Sequence, residues 1–131
     1  LLAEEFLRAI SSDIKMIIVD FHAETTSEKR AMGLFLDGRV SAVIGTHTHV
    51  ATADEQILPK GTAYITDVGM VGVKYSVIGM KAEVMIEEFR ENKLKKEIAE
   101  ECEVVVSAVI FDIDEISGRA RSIERINAVI A

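Results

Sequence analysis

Apolar positions in the first half of the chain alternate between helical spacing and short continuous runs. The spacing of the first apolar residues predicts an amphipathic helix over residues 2–11. The pattern that follows predicts a strand over 16–21, a helix over 26–37 and a strand over 40–45. A strand, a helix and a strand joined by short connections form a βαβ unit, so we expect the two strands to be buried and parallel.

The second half of the chain consists mainly of strand-like runs separated by turn residues. The pattern predicts a strand over 62–66 and a hairpin of strands 104–114 and 119–129. It also predicts a helix over 81–91 with four residues inward: Val84, Met85, Ile86 and Phe89. The segment 71–79 fits no single element, because two glycines frame a short apolar stretch. The mixed-charge run over 92–103 predicts a solvated loop or a helix end.

Length and charge narrow the class of protein. At 131 residues the chain is about one domain long, and it contains no apolar run long enough to span a membrane. Its net charge of −7, from 15 basic and 22 acidic residues, argues against nonspecific nucleic-acid binding. A phosphate-bearing substrate is compatible with that charge, because bound metal cations reverse the local sign. The single cysteine, Cys102, lies between two glutamates, which favours an unreactive thiol in a cytoplasmic protein.

The three histidines of the chain are concentrated in two short segments, 20–24 and 45–49. Each segment follows a predicted strand, and ligands bind outside the carboxyl ends of parallel strands. Neutral imidazole is the commonest metal ligand, and a His-x-His pair in extended backbone places both rings on one face, about 6.6 Å apart at the backbone. The sequence therefore predicts a metal site formed by His22, His47 and His49. The alternatives are a hydrogen-bonded core histidine for His22 and a polar loop for the other two.

Polar residues beside the histidines are candidates for supporting roles. Ligating histidines usually donate their second ring N–H to a carboxylate or a carbonyl. Four acids are candidates for this role: Asp20, Glu24, Asp54 and Asp67. The hydroxyls of Thr46 and Thr48 are candidates for contacts to a phosphate oxygen. Capping, turn or solvated roles remain open for all six residues.

The residues around the histidines resemble those of a known family. The segments that carry the resemblance are Asp20-Phe21-His22-Ala23-Glu24, 26–29, 37–50 with Gly45-Thr46-His47-Thr48-His49, 52–55, 58–70, 76–80 and the hairpin around 112–114. Together they closely resemble the YmdB-like metallophosphoesterases of the calcineurin-like superfamily, over nearly the whole chain.

The resemblance implies a fold, an activity and a site. The implied fold class is α/β: part of a four-layer α/β/β/α metallophosphoesterase sandwich with a C-terminal β-hairpin. The implied activity is metal-dependent hydrolysis of phosphodiesters such as 2′,3′-cyclic nucleotides, with two metal ions, iron or manganese. By the family's motif, His22 and His47 are ligands of one metal and His49 is a ligand of the other.

The chain departs from the family in length. Family members are about twice as long, and residues 1–131 resemble only the C-terminal half of their single domain. By resemblance, the N-terminal half would supply an aspartate ligand, a metal-bridging glutamate, asparagine contacts and the catalytic histidine. We therefore expect no catalytic residue in this chain and no activity from it alone. The expected partner is that N-terminal half, on the same polypeptide or on a companion chain, and we expect the chain by itself to form a homo-oligomer.

Two other functions remain open from the sequence. One is a non-catalytic, truncated module that binds a metal or has a structural role. The other is a mononuclear three-histidine metallohydrolase of a different family. The resemblance accounts for more residues than either alternative does.

Overall fold

The computed structural model describes residues 2–92, 96–100 and 103–131, which form a mixed α/β structure. The helices are α1 (Leu2–Ala9), α2 (Thr26–Leu36) and α3 (Ala82–Glu91). The strands are β1 (Ile18–His22), β2 (Ala42–Thr46), β3 (Gln56–Ile57), β4 (Ala63–Ile65), β5 (Val71–Val73), β6 (Ser76–Val77), β7 (Met80–Lys81), β8 (Val104–Ile113) and β9 (Ala120–Ile130). None of the described helices is long and apolar enough to cross a membrane.

The βαβ unit predicted from the sequence is confirmed. The four-stranded sheet has the order β1-β2-β4-β3, in which β1, β2 and β4 are parallel and β3 is antiparallel to β4. Strands β1 and β2 pair from Ile18 opposite Ala42 to His22 opposite Thr46. Both strands therefore end at the same edge of the sheet.

The two faces of this sheet are covered by different elements. Successive residues of a strand point to opposite faces. On one face, Val43 and Tyr64 pack with Leu36 of helix α2. On the other face, Ala42 and Ala63 pack with residues of the β8–β9 hairpin. The small alanines let the hairpin lie close to the sheet, so a helix layer, a parallel sheet and an antiparallel sheet are stacked in that order.

The C-terminal hairpin is also confirmed. Strands β8 and β9 are antiparallel from Val104 opposite Ile130 to Ile113 opposite Ala120, and β5 joins them on the other side of β8. The segment 71–79, which the pattern left open, contains β5 and β6, and β6 pairs with β7 in a separate two-stranded ribbon.

Two burial predictions are wrong. Strand β1 is half exposed rather than buried: it pairs only with β2 in the described part of the chain, and Ile18, which lies opposite Ala42, is 53% exposed. Phe89 and Ile86 of α3 are 83% and 55% exposed rather than inward. Helix α3 lies against the ribbon of β6 and β7, which is too short to cover a whole helical face.

The charged run over 92–103 is described only in part. Asn92 ends α3 in the left-handed conformation, and the Nζ atom of Lys81 lies 2.9 Å from Oε2 of Glu97. Residues 93–95 and 101–102 lie outside the described residues. The predictions for that part of the run and for Cys102 concern residues outside those that the structure describes, so they stay predictions.

Candidate metal centre

The fold brings two of the three histidines to one edge of the parallel sheet. His22 is the last residue of β1, and His47 directly follows β2. Because the two strands are parallel and in register at this end, both residues lie at the carboxyl edge, where ligands of such sheets bind. The predicted placement of these two side chains at adjoining strand ends is what the structure shows.

The rings of His22 and His47 face each other closely. The Nε2 atom of His22 lies 3.1 Å from Nδ1 of His47, and the rings are nearly perpendicular, at 85°, with centroids 5.0 Å apart. Nitrogens bound to one ion at about 2.0–2.1 Å would themselves lie about 3 Å apart at angles near 90°. The spacing and the chemistry of this nitrogen pair therefore fit two ligands of a single metal ion.

A chain of hydrogen bonds orients the ring of His22. The hydroxyl of Thr46 donates to Oδ1 of Asp20 over 2.8 Å, and its oxygen lies 3.0 Å from Nδ1 of His22. Since the hydroxyl proton points to Asp20, the Thr46 oxygen accepts the Nδ1–H of His22. This network assigns a proton to Nδ1 of His22. The lone pair of Nε2 then faces Nδ1 of His47, with which it forms a hydrogen bond, and the same lone pair is the one that would bind a metal ion.

His49 does not join the other two rings. Its Nδ1 atom lies 3.3 Å from the backbone carbonyl oxygen of Ile78. The backbone is not extended here, because His47 has φ 115° and His49 has φ 64°. The extended His-x-His geometry expected from the sequence is therefore wrong. Residues other than glycine rarely adopt positive φ, because the Cβ atom makes this backbone conformation strained. Strained backbone of this kind is concentrated at functional sites.

The two predicted phosphate contacts have intramolecular partners. The Thr46 hydroxyl bonds to Asp20 and His22, as described above. The Thr48 hydroxyl donates to the backbone oxygen of Val50 over 3.2 Å, inside the loop that carries the histidines. Contact of either threonine with a phosphate remains a prediction.

A buried ion pair lies directly beneath this loop. Lys29 of α2 is 1% exposed, Asp67 is fully buried, and the lysine Nζ lies 2.7 Å from Oδ2 of Asp67. Oδ2 also accepts a hydrogen bond from the backbone N–H of Thr48 over 3.0 Å, and Oδ1 accepts one from the N–H of Gly69 over 2.9 Å. Burial by itself would raise the pKa of Asp67, but the hydrogen bonds from Lys29 and these N–H groups outweigh it and lower the pKa.

Lys29 lies in a segment that carries the family resemblance, but no role was predicted for it, although the sequence contains a signal for its burial. It shares the inward face of α2 with Gly33 and Leu36, at the i, i+4, i+7 spacing of a buried helical stripe. The aliphatic part of the Lys29 side chain packs against Gly45 of β2. A Cβ atom at position 45 would lie 2.9 Å from Cδ of Lys29 and 1.7 Å from the backbone oxygen of Thr66. Glycine is therefore required here by close approach rather than by a turn.

The remaining predicted acids are Asp54, whose hydrogen-bond partners are threonines, and Glu24, which is exposed. Asp54 accepts hydrogen bonds from the Thr52 hydroxyl over 2.6 Å and from the Thr66 hydroxyl over 2.5 Å, so it supports the end of β4 rather than a histidine. Burial alone would raise the pKa of Asp54, and these hydrogen bonds lower it overall. Glu24 is exposed between β1 and α2.

The described residues supply only part of a metal site. Residues 2–92, 96–100 and 103–131 contain no group of three or more histidine, cysteine, aspartate or glutamate side chains placed to hold one ion. The fit is that of a two-nitrogen fragment, His22 with His47, held by Asp20 through Thr46. A complete centre needs further ligands brought to this edge of the sheet.

Known proteins match this chain along almost its whole length. A family model described as YmdB-like protein matches residues 1–126. The chain is also similar to the 2′,3′-cyclic-nucleotide 2′-phosphodiesterase of Bacillus subtilis (strain 168). The two are 49% identical over 124 residues, which cover 95% of this chain and 47% of that protein.

Two solved structures share the fold. The crystal structure of a novel phosphatase from Mycoplasma pneumoniae superposes with a TM-score of 0.86 and 41% identity, over 98% of this chain and 45% of that one. The crystal structure of a hypothetical protein from Thermus thermophilus gives a TM-score of 0.85 and 37% identity, over 97% of this chain and 49% of that one. The chain spans about half the length of the relatives that it matches.

Proposed function

Because the chain belongs to the YmdB-like family, we propose that residues 1–131 form the C-terminal half of a single metallophosphoesterase domain that hydrolyses phosphodiesters such as 2′,3′-cyclic nucleotides. The observation that carries the proposal is the facing pair of His22 and His47 at the carboxyl edge of the parallel sheet. The name of the Bacillus subtilis relative supports the substrate class.

The proposed cofactor is a pair of metal ions, iron or manganese. His22 and His47 are the candidate ligands of one ion, and His49 is the candidate ligand of the second by resemblance to the family. When bound, such ions neutralise charge on phosphoryl oxygens and acidify a water molecule. The donor set present, neutral imidazole nitrogens, suits iron and other transition metals.

The proposed role of the residues in this chain is to bind the metal ions and to orient the metal ligands, not to transfer protons. Asp20 and Thr46 orient the ring of His22 through its Nδ1 atom, and Asp67 binds the backbone N–H of Thr48, between His47 and His49. A group that protonates the leaving oxygen, and carboxylate ligands for the metals, would come from the other half of the domain. The chain alone is therefore proposed to be inactive.

The open edge of β1 is the proposed place for that other half. An apolar groove of about 620 Å³ follows this edge, lined by residues that include Leu2, Phe6, Ile18 and Phe21. Phe6 is 63% exposed and Ile18 is 53% exposed. An unpaired edge beside exposed apolar surface is a template for strand addition. We propose that the remaining half of the domain pairs with β1, covers the groove and completes a four-layer α/β/β/α sandwich.

Reconstitution tests the proposal. The chain is assayed with Mn²⁺ and 2′,3′-cyclic AMP, alone and fused to the N-terminal part of the Bacillus subtilis relative. We expect no turnover from the chain alone and turnover from the fusion. The variant His47→Ala should abolish the activity of the fusion, and Ser122→Ala, an exposed change on β9, should leave it unchanged.

The outcomes separate the competing functions. Turnover by the chain alone would contradict the half-domain proposal and favour a mononuclear three-histidine hydrolase, which the separation of His49 from the other rings disfavours. A folded fusion without turnover would favour a non-catalytic metal-binding module. The oligomeric state of the chain alone is measured by light scattering. We expect a homo-oligomer, because the β1 edge and the groove beside it are exposed.

A further inference from the structure

The buried ion pair of Lys29 and Asp67 is unusual in where it lies and in what it touches. Both side chains are inaccessible to solvent, whereas the histidines above them are exposed. Removing two charges from water is unfavourable, and an apolar pair of similar volume often stabilises a fold as well or better. A role in stability alone therefore gives a weak account of a lysine on the inward face of α2.

The contacts of Asp67 point to a second role. Its Oδ2 atom, which receives the lysine, also accepts the backbone N–H of Thr48 over 3.0 Å. Thr48 lies between His47, with φ 115°, and His49, with φ 64°. Backbone in such conformations persists only where its surroundings over-determine it. The carboxylate thus binds the chain at the residue that separates the two strained histidines.

The rest of the Asp67 contacts fix the carboxylate itself. Oδ1 accepts the N–H of Gly69 over 2.9 Å. The backbone N–H of Asp67 donates to the Thr52 hydroxyl over 2.9 Å, and its backbone oxygen accepts the N–H of Thr52 over 3.0 Å. Together with the contact of Lys29 to Oδ2, these hydrogen bonds hold both oxygens of the carboxylate and keep Oδ2 next to the Thr48 amide.

We propose that Lys29 and Asp67 are a positioning pair for the candidate metal centre. Lys29 holds the carboxylate of Asp67 charged and in place, and the carboxylate holds the Thr48 amide. That contact fixes the path of the loop and so keeps Nδ1 of His47 opposite Nε2 of His22. Neither residue touches a histidine ring, so the effect is transmitted through the backbone. The consequence for metal binding rests on the proposed function, whereas the effect on the loop does not.

Three variants and a matched control test the pair. Asp67→Asn removes the charge, Lys29→Met keeps a stem of similar length without the ammonium group, and the double variant removes both charges. The control is Asp37→Asn, because Asp37 is a buried carboxylate near the opposite end of the same sheet that accepts the N–H groups of Lys60 and Thr62. A purely structural role would make the Asp67 variants and the control behave alike.

The first readout needs no metal. NMR spectra of the apo chain report the Thr48 amide and the ring nitrogens of all three histidines. We expect these signals to shift in both single variants and to stay unchanged in Asp37→Asn. Unshifted loop signals in a folded Asp67→Asn protein, or equal shifts in the control, would overturn the proposal.

The wild-type chain provides a measurement that does not depend on a variant folding. The Thr48 amide should exchange with solvent at least tenfold more slowly than the amide of Ala53, an exposed residue of the adjoining loop. Exchange of Thr48 as fast as that of Ala53 would contradict the hydrogen bond to Asp67 on which the proposal depends.

The second readout is Mn²⁺ affinity, measured by calorimetry on the fused full-length domain. Loss of residues that orient ligands lowers metal affinity about 10- to 100-fold. We expect a loss of that size in Lys29→Met and Asp67→Asn, and none in Asp37→Asn. Absence of Mn²⁺ binding in the wild type would sink the proposed metal centre, and the apo spectra would still decide whether the pair positions the loop. Unchanged affinity in both variants would overturn the positioning role.

Discussion

The two ends of the parallel sheet use buried carboxylates differently. At the carboxyl edge, Asp67 is paired with Lys29, and the positive φ angles of the neighbouring loop belong to His47 and His49. At the opposite end, Asp37 is 6% exposed and accepts the backbone N–H groups of Lys60 and Thr62, with no ion pair to another described residue. The positive φ angles there belong to Gly38 and Gly61.

This difference separates a structural end of the sheet from a strained one. Glycine adopts positive φ without steric penalty, so backbone hydrogen bonds to Asp37 are enough to close that end. A histidine with positive φ is strained by about 1–3 kcal/mol. The carboxyl edge has two such histidines, and it also has the charged pair beneath them. The Lys29–Asp67 pair therefore lies beneath strained backbone that the opposite end of the sheet does not have.

The largest expected effect comes from leaving one charge of the pair alone. Asp67→Asn leaves the Lys29 ammonium buried without its partner, which costs about 3–5 kcal/mol. Asp37→Asn leaves no buried charge without a partner, so we expect the free energy of unfolding to fall by only about 1–2 kcal/mol, from weaker hydrogen bonds. The double variant with Lys29→Met should recover most of the loss, because removing both charges is nearly neutral. Urea unfolding of the four proteins measures these differences. Equal losses for Asp67→Asn and Asp37→Asn would remove the distinction between the two ends.

A smaller effect is expected from exchanging glycine and histidine at positive φ. His49→Gly should raise the free energy of unfolding by up to about 1 kcal/mol, because glycine relieves the left-handed strain. Gly61→Ala should lower it by about 1–2 kcal/mol, because alanine introduces that strain at the opposite end. Thermal unfolding gives both values. Destabilisation by His49→Gly would mean that the histidine backbone is not strained in the folded chain.

The sequence predicts the parts of the fold that depend on local pattern. Apolar spacing predicts α2, β2 and the β8–β9 hairpin to within a few residues, because each has a local apolar pattern that is typical of its element. It does not predict that β1 lies at an open edge, because pairing partners are a property of the whole sheet. It also predicts His22 and His47 at one edge.

Long-range polar contacts are the part of the site that local pattern cannot supply. The buried contact of Lys29 with Asp67 joins residues 38 positions apart. A lysine in a helix usually keeps its charged end in water, so residue type argues against burial. The positive φ of His47 likewise occurs beside a long-range contact, that of Thr48 with Asp67. Both features become visible only once β4 is placed beside β2.

A still smaller effect is expected from the hydrogen-bond chain at the carboxyl edge. Thr46→Val removes the hydroxyl between Asp20 and His22 and should cost about 1 kcal/mol. Its specific signature is loss of the fixed Nδ1–H tautomer of His22, observed in nitrogen NMR spectra. The control Thr25→Val changes an exposed threonine whose side chain forms no cap hydrogen bond with α2, and should leave the tautomer of His22 unchanged. An unchanged tautomer in Thr46→Val would show that the ring is oriented by other contacts.

The smallest effect is expected far from both ends, at the turn between β8 and β9. Hydrogen bonds from Ser117 and Arg121 lower the pKa of Asp114 to about 2 from its usual 3.8. A folded pKa below the unfolded value means that the group stabilises the fold above about pH 4, and that this contribution disappears as the pH falls towards 2. Asp114→Asn should therefore unfold at a lower temperature than the wild type at pH 7, and the difference should vanish near pH 2. Because Asp114 lies in an exposed turn, the histidine NMR signals should stay unchanged, which confines the effect to the hairpin. A temperature difference that persists at pH 2 would assign the stabilisation to the shape of the side chain rather than to its charge.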